Sequence, residues 1–74
     1  MSKLPTLTDN ELITALGKAG FKAIRLKGSH HFLRHPDSRA TVVPVHRAEA
    51  IGPGLMTKIL HDCEMTRDQF QSLL

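Results

Sequence analysis

The chain has 74 residues, room for one domain at most (residues 1–74). A domain this small buries only roughly 60% of the surface its unfolded chain exposes, so its core must be thin. Ten Lys and Arg against seven Asp and Glu leave a net charge of +3, and the single cysteine, Cys63, excludes an internal disulfide. No stretch approaches the roughly 20 apolar residues of a membrane span. Met1 to Asp9 carries no apolar run of the secretory kind. These features predict a cytoplasmic protein in a reducing compartment that engages no membrane.

Thr8 to Glu11 reads as a capping box, in which hydroxyl and carboxylate each satisfy a free backbone N–H. Leu12, Ile13, Leu16 and Ala19 follow at helical spacing, and Gly20 suits a left-handed helix end. The first helix is expected over Asp9 to Ala19. Phe21 to Lys27 is a strand candidate, with Ile24 and Leu26 alternating against Arg25 and Lys27. Gly28-Ser29 is a two-residue turn signal. His30 to His35 alternates again, putting His30, Phe32 and Arg34 on one face and His31, Leu33 and His35 on the other. Pro36-Asp37-Ser38 marks a second turn. Arg39 to Val45 is a third strand, at whose edge or end Pro44 must lie because it lacks an N–H.

His46 to Ile51 reads as a loop. Gly52-Pro53 opens a second helix with Leu55, Ile59, Leu60 and Cys63 on its apolar face. Thr66 to Gln69 is another capping box, starting a short helix that carries Phe70, Leu73 and Leu74. The order α-β-β-β-α-α predicts an α+β fold, a three-stranded antiparallel sheet packed on helices.

The charge is unevenly spread. Lys18, Lys22, Arg25, Lys27, Arg34 and Arg39 fall mid-chain, where Asp37 is the one acid between Gly20 and Ala48. That segment suits a phosphate backbone. Arg25 and Lys27, two residues apart on a strand, line one face together. Three aromatics, Phe21, Phe32 and Phe70, are too few for recognition by stacking on several rings, so shape and phosphate contacts are expected.

Chemistry concentrates at Lys27-Gly28-Ser29-His30-His31. Glycine permits a tight turn and close approach of a phosphate, Ser29 offers a hydroxyl and Lys27 a charge. His30 starts a strand, so the sheet holds it. An imidazole suits proton transfer near neutral pH, and RNA cleavage needs such a group at the 2′-hydroxyl or the leaving 5′-oxygen. A histidine on a half-exposed strand is more often an ordinary polar residue. On residues alone, the chain reads as a basic α+β domain suited to RNA. His31 is expected on the opposite face, His35 and His61 in solvent, and His46 in a structural or supporting place. Cys63 reads as a small buried residue, since Asp62 and Glu64 beside it would raise a thiol pKa. No Cys-x-x-Cys pair or His-Glu-x-x-His helix is present, so no metal or other cofactor is expected.

Three runs in order, Lys27-Gly28-Ser29-His30-His31-Phe32, Arg34-His35-Pro36-Asp37 and Val43-Pro44-Val45-His46, resemble the HicA family of bacterial toxin mRNA interferases. The tail resembles it too, in Gly54-Leu55-Met56-Thr57-Lys58-Ile59-Leu60 and Met65-Thr66-Arg67-Asp68-Gln69-Phe70. The likeness implies a double-stranded RNA-binding-domain-like fold, an endoribonuclease acting on mRNA, and neutralisation by a HicB-type antitoxin in a toxin–antitoxin hetero-oligomer. It makes His30, the first histidine after Gly-Ser, the catalytic residue. Lys27, Gly28, Ser29, Arg25 and Arg34 then become RNA-binding candidates. The second proton-transfer group stays open among water, Ser29, Lys27 and His46. Two departures from the family pattern stand out: Phe32 replaces a frequent tyrosine, and the turn at Asp37-Ser38 lacks a frequent glycine. The alternative is a small RNA-binding domain without catalysis.

Overall fold

The computed structural model describes residues 4–45 and 49–74. Thr8 turns the chain into helix α1 (Asp9–Lys18). The Thr8 N–H donates to the Glu11 carboxylate at 2.8 Å, and the Glu11 N–H donates to the Thr8 hydroxyl at 3.3 Å. This is the expected capping box. Gly20 ends the helix at φ +102°, and the Phe21 N–H reaches back to the Leu16 carbonyl at 3.1 Å. A Cβ at position 20 would meet His35 Nε2 at 2.8 Å. Glycine is therefore favoured there by its backbone angle, and any side chain would also have to displace the His35 ring.

Three strands follow, β1 (Lys22–Lys27), β2 (His30–Arg34) and β3 (Ala40–Pro44), antiparallel and in the order β1-β2-β3. Phe21 lies just before β1 and points into the core instead of extending the strand. Pro44 closes β3, where its missing N–H costs no ladder bond. Between β2 and β3, Ser38 takes φ +84°, the conformation that favours the glycine absent from this turn. Helix α2 (Pro53–Asp62) starts with proline in its first turn, and α3 (Arg67–Gln71) starts from the second capping box, Thr66 with Gln69. The sequence-predicted α+β order is the observed one, with helix and strand ends displaced by a residue.

Leu12 and Leu16 of α1, Leu33 and Val43 of the sheet, Ile59 of α2 and Phe70 of α3 are all at most 2% exposed and form one core. Both α1 and α2 pack on β3. Strand β1 lies beyond this cover, and all six of its residues are exposed. The alternation of Ile24 and Leu26 with Arg25 and Lys27 therefore produces no buried face. Ile24 and Leu26 remain 61% and 62% exposed.

Candidate functional site

Burial of Leu33, Thr41 and Val43 fixes which face of the sheet meets the helices. Strand alternation then sends His30, Phe32, Arg34, Ala40, Val42 and Pro44 to the other, open face. The register aligns this face in three rows: Lys27 with His30 and Pro44, Arg25 with Phe32 and Val42, and Lys22 with Arg34 and Ala40. Arg25 and Lys27 share the face, as their spacing predicts. Regular alternation would have sent Lys22 to the opposite side. A bulge between Ala23 and Arg25 inserts Ile24 as an extra residue and brings Lys22 round to join them. No local signal in Lys22–Lys27 announces that bulge.

The three strands contain no acid. Among the described residues, Lys22, Arg25, Lys27 and Arg34 make no ion pair with a carboxylate, and all four are exposed. Unpaired cations in a row hold a positive potential open to an anionic ligand.

His30 is exposed at the start of β2, directly across from Lys27. Such partners have Cβ atoms about 4.5–5.5 Å apart. The hairpin turns on Gly28, whose φ of +59° suits glycine. The carbonyl of Ser29 accepts the Val45 N–H at 2.6 Å, tying the turn to the chain just after β3. His30 is thus placed by sheet pairing on both sides and by a pinned turn.

The other histidines separate. His31 faces the helices, half-buried, and its Nδ1 is enclosed with no hydrogen-bond partner among the described residues. His35 corrects the expectation of a solvated ring on the face of His31. It follows the end of β2, lies edge-on to Phe21 at 5.2 Å between centroids, and its Nδ1 accepts the Asp37 N–H at 3.1 Å. The stack on Phe21 pulls it out of solvent. His61 is exposed on α2, as expected, and His46 lies outside the described residues.

Arg39 also departs from expectation. Its place in the basic segment puts it among the phosphate-facing cations, but its guanidinium lies over Phe21 at 5.2 Å, pairs with Asp37 at 2.8 Å and donates to the Cys63 carbonyl at 2.7 Å. Its charge is engaged within the fold. Cys63 is fully buried. Burial pushes its thiol up to about 11, with the Asp62 charge adding to the effect. A thiol held protonated is a poor nucleophile.

Among the described residues, no group of three or more His, Cys, Asp and Glu is placed to hold a metal ion. None of their helices is long and apolar enough to cross a membrane. A groove of about 550 Å³, lined by Pro5, Leu7, Ala15, Leu73 and Leu74 among others, shares no residue with the open sheet face. It holds no histidine and no convergent set of charges.

Residues 10–65 match the family model of the HicA toxin of bacterial toxin–antitoxin systems. That span contains α1 from its second residue, all three strands and α2, and therefore the whole open face. No curated protein matches the chain.

Proposed function

The chain belongs to the HicA toxin family of bacterial toxin–antitoxin systems, and from that membership we propose that it is an mRNA interferase, an endoribonuclease that cuts mRNA with His30 and is neutralised by a HicB-type antitoxin. The observation that carries this reading is His30 itself. It is exposed, held by pairing to Lys27 and Pro44, and set among cations that no carboxylate of the described residues engages.

The chemistry follows from those groups. The 2′-oxygen attacks the adjacent phosphorus while the bond to the 5′-oxygen breaks. This leaves a cyclic phosphate on one fragment and a 5′-hydroxyl on the other. His30 takes the proton from the 2′-hydroxyl or gives one to the departing 5′-oxygen, and a second group, water or one of Ser29, Lys27 and His46, makes the other transfer. Lys27, directly opposite, is positioned to balance charge building on the phosphoryl oxygens. Gly28 lets the backbone come close to a phosphate, while Arg25 and Arg34, in the two rows beyond His30, hold the chain that leads away from the cut. The proposed reaction requires no metal ion.

An antitoxin that meets Arg25, Lys27 and Arg34 with acidic side chains would occupy the same face. The resulting hetero-oligomer would weaken as salt rises.

A second reading has one observation in its favour. No described side chain hydrogen-bonds to His30, so nothing among the described residues orients the imidazole as a positioned general base usually is. On that reading the chain is a non-catalytic RNA-binding domain. One assay separates the two. The purified, antitoxin-free chain and His30→Ala are incubated with a long RNA in excess EDTA, with folding checked by circular dichroism. Cleavage by the wild type and none by the folded variant supports the ribonuclease. Binding by both without cleavage by either favours the domain without catalysis.

A further inference from the structure

The open face is asymmetric in a way that the ribonuclease reading does not require. Its β1 column is wholly cationic, Lys22, Arg25 and Lys27, and its β3 column is apolar, Ala40, Val42 and Pro44. Phe32 stands at the centre of the middle column, flanked by Arg25 and Val42, and is partly exposed. A duplex has two backbones and would need cations along both sides of its footprint. Shape-based duplex recognition also spans about 16 base pairs across two minor grooves. A single strand has one backbone and unpaired bases to one side of it, which is the division this face makes.

We propose that the open face takes single-stranded RNA, its backbone along β1 and one base stacked on Phe32, beside the bond that His30 attacks. The proposal rests on the ribonuclease reading for its last clause only. On-face neighbours along β2 lie about 6.6–6.8 Å apart. A base on Phe32 therefore sits about one step of an extended strand from His30. The Ile24 bulge matters here, because it adds Lys22 to the cationic column and lengthens it to the full depth of the sheet. A single aromatic suffices for this mode, since every base offers a face to stack on. The low aromatic content of the chain predicts shape readout, and the placement of Phe32 assigns base stacking instead.

The test uses the whole chain and a labelled 12-nucleotide 2′-O-methyl RNA, which cannot be cut through its 2′-oxygen. Binding is measured by anisotropy to the single strand, to the same strand annealed to its complement, and to a series with one base removed at a time. The single strand should bind at least about tenfold tighter than the duplex. Phe32→Leu should weaken single-strand binding about tenfold, and Phe32→Tyr should restore it. One abasic position should cost the wild type the same factor and make Phe32→Leu silent. Should the leucine variant fail to fold, the abasic series on the wild type carries the test alone.

Equal or tighter binding of the duplex overturns the proposal. So does unchanged RNA binding by a folded Phe32→Leu, including the case where that variant loses only antitoxin affinity and the face is a protein interface. If the chain never cuts ordinary RNA but shows the Phe32-dependent pattern, the stacking platform stands and the ribonuclease reading falls.

Discussion

Arg39 donates from Nη1 to the carbonyl of Cys63 at 2.7 Å, joining the residue before β3 to the C-cap of α2. The last carbonyls of a helix lack intrahelical partners, and a cation beside them also meets the negative end of the helix dipole. The same guanidinium holds Asp37 and covers Phe21, so one side chain fastens the β2–β3 turn, the start of β1 and the end of α2. Lysine cannot make these contacts together. Arg39→Lys should cost about 1–2 kcal/mol, which in a domain of this size lowers Tm by roughly 4–16 °C. RNA affinity at a temperature where the variant is folded should be unchanged. A melt indistinguishable from wild type would show that the clasp contributes nothing.

Lys22, Arg25, Lys27 and Arg34 should behave in the opposite way. Each is exposed and makes no ion pair among the described residues, so alanine there should move stability by no more than about 0.5 kcal/mol. Each contact to a phosphate of a single strand contributes about 0.7 to the slope of log K against log salt. Removing Arg25 or Lys27 should therefore flatten the slope by about that amount, while Arg39→Lys leaves it alone. A salt titration of all three variants checks the division. An unaltered slope for both Arg25→Ala and Lys27→Ala would remove the cationic column from the RNA interface.

That division also shows which parts of the molecule can be read from sequence. The capping boxes at Thr8 and Thr66, the turn at Gly28-Ser29 and the proline opening α2 are local devices, complete within a few residues, and each stands where it was expected. His30, Arg25 and Lys27 share a face because strand alternation and a two-residue turn leave little choice. The places of Arg39 and His35 are not local, because their partners, Cys63 and Phe21, are distant in the chain. The bulge at Ile24 escaped because it is decided by pairing to β2, and with it went the position of Lys22 and the uncovered state of β1.

Two carboxylates make the fold sensitive to acid. The Thr8 N–H bonded to Glu11 holds that carboxyl below its ordinary 4.5. The Arg39 N–H bonded to Asp37 holds the second below its ordinary 3.8, helped by the Arg39 side chain. A depressed folded value means that the charged form is favoured in the native state. The stabilisation is present above the ordinary values and is lost as pH falls through the folded ones. Tm should fall steadily below about pH 4. Glu11→Gln keeps the capping geometry without a titrating charge, so its melt should fall less over the same range. Parallel curves for the two proteins would show that the cap carries no pH-dependent share.

Cys63 sets the alkaline side. Its thiol is raised from an ordinary 9.0 to about 11 by burial, with the Asp62 charge acting in the same direction. The unfolded chain therefore loses this proton first as pH rises. The Cys63 contribution to stability is constant below about pH 9 and is lost between there and pH 11, where the unfolded state binds fewer protons. The same burial blocks reagents, since Cys63 is 0% exposed. At pH 8 iodoacetamide should label the native chain far more slowly than the chain in denaturant, at a rate that follows the opening of the fold. Cys63→Ala removes the titration, so its Tm should decline less than that of the wild type above pH 9. Rapid native labelling, or an alkaline decline of equal depth in both proteins, would contradict a core thiol held in its neutral form.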